Sequence, residues 1–351
     1  MDRGVGTELS QSGRQPRESR TCRGMGKPAR ASPPPYALLG KGAERMCDNR
    51  WVPSVSVAIT AYNSGPWVAE AVRSALDQTT SDIEVVVVDD ASTDDTYPAV
   101  AAIEDARLRL YRNGTNLGEA ANWNRTVSLC RSPLVKLLCS DDVLDPECVE
   151  KMRGPFSHPT VGMVFSRRAI LGDQARAESY GSAHQRFGEL HEVNHGGSLF
   201  ERYMQTRFED NWIGEPSNVM LRSDVFSTVR FDPRVVRTDM AMWIHTMFHF
   251  DVGFVDEELT TYRVRTGSVT DLASDSGSRW LDQLWLYEIL LADPMIERVY
   301  GVELRRLRRR ERMRMPARLL LKYGRYPARW RDAADYLRTQ VVHRQPLAGF
   351  R

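Results

Sequence analysis

Val55-Ser56-Val57-Ala58-Ile59-Thr60-Ala61-Tyr62-Asn63 and, about thirty residues on, Val85-Val86-Val87-Val88-Asp89-Asp90-Ala91-Ser92-Thr93-Asp94 decide how this chain folds. Each joins a short apolar run to a polar tail. The runs lack the alternation of a strand with one wet face, so they read as strands covered on both sides by helices. Between them Val68, Val72 and Leu76, with Ala71 and Ala75 beside them, recur at helical spacing. Leu108 to Tyr111 predicts a third strand, Glu119 to Leu129 a helix, and Leu134 to Cys139 a further strand. This repeated order of strand and helix predicts an α/β fold with a largely parallel sheet.

Working outward, Gly172 to Gly197 is polar, Gly-rich and holds three of the seven His, and it reads as a long functional excursion. Regular structure resumes with a helix near Leu199 to Gln205, a strand at Val219 to Arg222, a helix from Met240 to Phe250 and a strand ending at Tyr262. After Asp271 the pattern is helical, with Pro294, Pro316 and Pro327 expected to break it into pieces. In the other direction, Met1 to about Arg50 is rich in Arg, Gly, Ser and Pro, and too poor in apolar residues to offset ordering entropy. It is expected to be disordered. A translation start at Met46 and a floppy tail fit equally. The expected organisation is thus a disordered segment 1–50, an α/β domain 51–270 with a nucleotide half (51–160) and an acceptor half (161–270), and a basic helical tail 271–351.

Composition is that of a globular protein, 42% hydrophobic and 27% charged, with a formal charge of +2. The charge is uneven: Arg305 to Arg331 carries twelve Lys and Arg against one acidic residue, Glu311. Basic, apolar and aromatic residues together suit an interfacial helix on anionic lipid, and equally a solvated face closing a helical bundle. Nucleic-acid binding is not expected, since no reader motif accompanies the charge. The five scattered cysteines show no metal-ligand spacing and read as reduced thiols. With no run of about 20 apolar residues and no apolar signal segment, a cytoplasmic location is expected, with peripheral contact at the inner membrane face left open.

Ligands of parallel α/β sheets sit beyond the carboxyl ends of the strands. Three strands deliver polar tails there: Thr60-Ala61-Tyr62-Asn63, Asp89-Asp90-Ala91-Ser92-Thr93-Asp94 and Ser140-Asp141-Asp142. Carboxylates gathered at one edge repel unless a cation intervenes, and Mg2+ or Mn2+ takes one or two carboxylates plus substrate phosphates. Each Asp pair also suits a turn or helix cap, above all Ser92-Thr93-Asp94.

The strings Val55 to Asn63 and Val86 to Asp94, with Ser74 and Gln78 between them, resemble the start of family 2 glycosyltransferases. Asn116-Leu117-Gly118 with Asn122 resembles the family's next block, and Ser140-Asp141-Asp142 its DXD-type element. The similarity runs on through Asp239 to Tyr262-Arg263 and so covers about Pro53 to Thr270. It implies a GT-A fold, with a mostly parallel central sheet flanked by helices and followed by a C-terminal helical extension. It also implies inverting transfer from a nucleotide-diphosphate sugar to a saccharide, lipid-linked or other hydroxyl acceptor, in polysaccharide, cell-envelope or glycolipid synthesis.

By the same resemblance Asp90 contacts the nucleotide base, Thr60, Ala61 and Tyr62 line that pocket, and Asn116 belongs to the donor side. Asp142 binds the metal, Asp141 lies beside the donor, and Asp239 is the catalytic base. A base for the acceptor hydroxyl and a cation for the leaving diphosphate are what inversion requires. On residues alone Asp239 fits a helix N-cap as well. Arg265 stands where many members carry a His; it cannot ligate a metal but can grip phosphate. Trp212 and Glu215 fall in the acceptor-side segment, where Trp212 either stacks on a sugar or packs in the core. His245 and His249, at i and i+4, suit a zinc ion or ordinary helix packing. A nucleotidyltransferase would bring a basic loop near the first strand, and Thr60 to Pro66 has none. A dinucleotide oxidoreductase would bring G-x-G-x-x-G after a strand. The remaining alternative is a catalytically silent accessory protein of the same fold that binds nucleotide sugar or membrane.

Overall fold

A computed structural model describes residues 52–172, 174–264 and 278–323 of the chain. The segment 1–50, Met46, Arg265 and Pro327 lie outside the described residues.

The elements follow in the order β1 (Val55–Ala61), α1 (Gly65–Leu76), β2 (Ile83–Asp89), α2 (Thr96–Ala101), β3 (Leu108–Arg112), α3 (Glu119–Leu129), β4 (Leu134–Cys139), β5 (Val143–Leu144) and α4 (Cys148–Arg153). Then come β6 (Val161–Leu171), α5 (Gln174–Gly181), β7 (Val193–Asn194), α6 (Gly196–Gln205), β8 (Val219–Arg222), α7 (Val225–Thr228), α8 (Thr238–His249) and β9 (Asp251–Arg263). Two helices, α9 (Ser278–Ala292) and α10 (Pro294–Tyr323), end the described chain.

One nine-stranded sheet runs in the order β3-β2-β1-β4-β8-β6-β9-β5, with β7 also on β9. Its first four strands are parallel. Beyond β4 the sheet is mixed: β8 is antiparallel to β4 and β6, while β9 runs parallel to β6. Alternation along β1 splits its side chains between two cores. Val55, Val57 and Ile59 pack with α1 and α4, whereas Ala58 faces α3, α6 and α8. This is why the runs in β1 and β2 are apolar throughout.

The segment 172–197, expected as a polar excursion, contains α5, a 3-10 turn at Ala183–Phe187 and β7, with Ala183 and Phe187 buried. Pro316 was expected to break the tail, but α10 continues through it. A helical proline removes one backbone bond and strains the preceding turn without severing the rest of the ladder. The break falls at Asp293-Pro294, where Pro294 opens α10 at a position that needs no N–H. On α10 Ile296, Leu304 and Leu307 are buried against the domain. No helix of the described residues is long and apolar enough to cross a membrane.

Candidate active site

Register brings the polar tails to one edge: Thr60 pairs with Val88 on one side and Cys139 on the other, and Ala61 pairs with Asp89. The loops beyond are stitched together by side chains. Asn63 donates its N–H to Ser92 Oγ (2.9 Å) and accepts from Thr93 N (2.9 Å). Asp94 accepts from Gly65 N and Thr96 N, both at 3.0 Å, so it joins two loops as a structural carboxylate. Tyr62 is 49% exposed and Asn116 is exposed; Thr60 is half-buried and Ala61 buried.

Asp90 was expected to present its carboxylate to a base. It is 2% exposed, and it accepts from Asn113 Nδ2 (2.6 Å), Leu117 N (2.9 Å) and Gly118 N (3.0 Å). These three bonds tie Asp90 to the Asn113–Gly118 loop and shape it, and a carboxylate has about four acceptor sites. Asn116 Oδ1 accepts from Gly118 N (2.9 Å), and Gly118, at φ 84°, turns the chain into α3.

The turn between β4 and β5 divides the two expected metal and sugar contacts. Asp142 is 0% exposed, accepts from the backbone N of Arg263 (2.9 Å) and from Ser217 Oγ, and is engaged through both oxygens. Burial and then the Asp141 charge push its pKa well above the usual range. Asp141 is the half-buried member of the pair. Asp142, the expected metal ligand, is thus the buried member of the pair and Asp141 the more accessible one, and both stand in the group whose ligand atoms could meet one ion. Cys139 Sγ and the carboxylates of Asp141 and Asp142 offer ligand atoms within 4.8 Å of one another. The chain turns directly after Cys139, with Asp142 N donating to Cys139 O (3.2 Å), and this turn gathers the three side chains. The two carboxylates are the hard oxygen donors that Mg2+ or Mn2+ takes, so Asp141 and Asp142 fit the ion expected from sequence, whereas burial keeps the soft Cys139 thiol protonated beside them.

Arg263 fixes this turn from β9. Its Nε donates to Asp141 O (3.0 Å) and its Nη2 to Glu70 Oε2 (2.8 Å), while β5 pairs with β9 through Val143 and Leu144. Beneath it, Lys136 is fully buried on β4 and donates to Ser217 O. Burial holds its pKa down.

Asp239 lies in the first turn of α8, and the N-cap is Arg237, so Asp239 is not the cap. Asn211 Nδ2 donates to its Oδ2 (2.8 Å) and Met240 N to its Oδ1 (2.7 Å). Burial raises its pKa to about 7, the Met240 bond opposing and the Glu215 charge adding to the rise. Asn211 also grips Gly214, whose carbonyl accepts from Asn211 Nδ2 and from Trp243 Nε1, both at 2.9 Å. Glu119, exposed at the start of α3, is a third carboxylate here: the protein atoms around it and then the charges of Asp239 and Asp141 raise its pKa. Sequence reasoning missed Asn211 and Glu119.

On the acceptor side Trp212 is 5% exposed, stacked on Tyr203 (centroids 4.5 Å apart) and edge-on to Phe187 (4.9 Å). Of the two readings the sequence left open, the structure has the second: Trp212 packs in the core. Glu215 Oε2 is paired with the buried Arg168 Nε at 3.0 Å.

Residues 56–230 match the family described as Glycosyl transferase family 2. The chain is 32% identical over 250 residues to Uncharacterized protein MT1568 of Mycobacterium tuberculosis, covering 69% of this chain and 77% of that one. It is 27% identical over 220 residues to the UDP-Glc:alpha-D-GlcNAc-diphosphoundecaprenol beta-1,3-glucosyltransferase WfaP of Escherichia coli, covering 62% of this chain and 79% of WfaP. Among solved structures, S. aureus TarS 1-349 in complex with UDP-GlcNAc superposes with a TM-score of 0.55 at 18% identity, covering 68% of this chain and 66% of TarS. The mannosyltransferase PcManGT of Pyrobaculum calidifontis, in complex with GDP-Man and Mn2+, gives 0.51 at 18% identity, covering 83% and 87%. These structural matches establish the fold. The chain belongs to glycosyltransferase family 2 and has the GT-A fold.

Proposed function

We propose that this protein transfers a sugar, with inversion, from a nucleotide-diphosphate sugar to an acceptor hydroxyl, using Asp239 as general base. One observation carries the reading: Asp239, a carboxylate with a pKa of about 7 oriented by Asn211, acts on the same Glu119 that feels the charge of Asp141. A base titrating near the working pH accepts a proton readily and is still ionised in quantity. Asp239 takes the acceptor proton as the hydroxyl attacks the anomeric carbon, and the nucleoside diphosphate departs on the opposite face.

Asp141, backed by Asp142 and Cys139, would hold a divalent ion, which when bound neutralises the charge developing on the leaving diphosphate. Without a cation the charges of Asp141, Glu119 and Asp239 oppose one another. Thr60, Ala61 and Tyr62 line the nucleotide side with the loop that Asp90 and Asn116 shape. Glu215, fixed by Arg168, borders the acceptor side. The donors named for TarS and PcManGT support a nucleotide sugar as substrate. The lipid-diphosphate acceptor named for WfaP supports a lipid-linked saccharide, met at an anionic membrane surface by the basic face of α10. The test is release of nucleoside diphosphate from a panel of nucleotide sugars with Mn2+ or Mg2+. The reading expects metal-dependent release that falls at least 1,000-fold, about 4 kcal/mol of transition-state stabilisation, in Asp239→Asn.

A further inference from the structure

His245 and His249, one turn apart on α8, meet a partner that sequence spacing could not supply. Asp293, 44 residues beyond His249, stands at the corner between α9 and α10. Its Oδ2 lies 2.9 Å from His245 Nε2 and 2.7 Å from His249 Nε2, and the imidazole centroids are 5.3 Å apart. The ligand atoms of all three residues lie within 4.8 Å of one another. The other carboxylate oxygen, Oδ1, accepts from Met295 N (2.8 Å) and Ile296 N (3.1 Å), which fixes the orientation of Asp293 and caps α10. On α8 the intervening residues Thr246 and Met247 are fully buried, so the helix is anchored in the core on one side and presents both imidazoles on the other.

We propose that His245, His249 and Asp293 form a divalent transition-metal site of zinc type, which ties the α9–α10 corner to α8. Two imidazole nitrogens and one carboxylate oxygen are a set that zinc accepts, with water in the fourth position. The three side chains are 10–14% exposed, so an ion and its water can enter while the site stays largely screened from solvent. With ligand bonds of about 2.0–2.1 Å, tetrahedral geometry puts ligand atoms roughly 3.3 Å apart. The contacts seen here need to open by about half an ångström, within reach of side-chain torsions alone. Without metal each Nε2–H donates to Oδ2. With metal each Nε2 gives its lone pair, and the ring proton resides on Nδ1. The hydrogen bonds from α10 to Oδ1 then hold the carboxylate from behind, as supporting partners of metal ligands do.

This site is separate from the Asp141 turn. His245 follows Asp239 by six residues, about 9 Å along the helix, and its role is to brace α8 against the C-terminal helices.

The test uses the full chain, stripped with a chelator and titrated with Zn2+ by calorimetry and with Co2+ by visible absorption. Asp141→Ala, which lacks the active-site carboxylate, is expected to bind one equivalent of Zn2+ at micromolar affinity or better, and both it and wild type to show the d–d bands of four-coordinate Co2+ and to gain several degrees in Tm. His249→Gln and Asp293→Asn, each of which keeps a polar group in place, are expected to lose at least 100-fold in Zn2+ affinity together with the Co2+ bands. A wild-type chain with neither Zn2+-dependent Tm nor Co2+ bands overturns the proposal, as does full retention of both in the two variants.

Discussion

Asp239 is pulled two ways: helix N–H groups favour its ionised form, while burial and the Glu215 charge disfavour it, leaving a pKa of about 7. The rate at saturating donor should therefore rise with pH up to about 7 and level off above. The amide of Asn211 favours the carboxylate, so Asn211→Leu should move that limb to higher pH and lower kcat about 10-fold; a pH–rate profile of both proteins checks this. The same shift has a cost in stability. An ionised Asp239 is less welcome in the folded chain than in the unfolded one, so stability falls as pH rises from about 4 to 7 and changes no further above. Asp239→Asn should then be more stable than wild type at pH 8, on the order of 2 kcal/mol with solvent access allowed for, and by less at pH 5, as denaturant titrations would show. Asp141 stood out as a candidate because it follows a strand at the ligand edge, while Asp239 on residues alone read equally as a helix cap and was singled out by the family resemblance. Asn211 and Glu119 were not, since a single Asn in a loop and a single Glu at a helix start carry no periodic signal.

Two glycines show how elements aim these residues. Gly118 has φ 84° and ψ 161°, a conformation essentially reserved to glycine, and nothing within 4 Å of an added Cβ, so Gly118→Ala should cost only the backbone strain, about 1–3 kcal/mol. Gly214 has φ 107°, and an added Cβ would overlap the guanidinium of Arg168. Gly214→Ala should cost more than Gly118→Ala in thermal melts, and should also reduce turnover by displacing Asn211 from Asp239. At this scale β1, β2, α3 and β4 were readable because both faces of the sheet are covered and each strand is apolar throughout. The strand β6 was not anticipated, since Ser166, Arg167 and Arg168 interrupt its apolar run. Those polar residues have tertiary reasons: Arg168 pairs with Glu215, and Ser166 Oγ contacts Asn218 Oδ1 at 3.2 Å. Local pattern also overstated Pro316, which the helical ladder absorbs.

Across the whole molecule, charge and chemistry occupy separate regions. Along α10 the exposed Arg305, Arg306, Arg309, Arg310 and Arg312 lie among exposed Val299, Val302 and Met313, while Leu304 and Leu307 turn inward. If this face meets anionic lipid, Arg309→Glu with Arg310→Glu should abolish co-sedimentation with phosphatidylserine vesicles and leave donor hydrolysis in solution unchanged. Salt should weaken the wild-type association in the same assay. The basic run was plain in the sequence, but the helical corner that presents it depends on Asp293, Pro294 and packing that no local pattern encodes. The central claim is that the cleft between Asp141 and Asp239 transfers a sugar from a nucleotide sugar, and the most direct test is nucleoside-diphosphate release with Mn2+ by wild type, Asp141→Ala and Asp239→Asn. The account predicts release from at least one nucleotide sugar by wild type, abolished in both variants while their folded spectra and melts persist. Wild-type turnover that survives in either folded variant would contradict it.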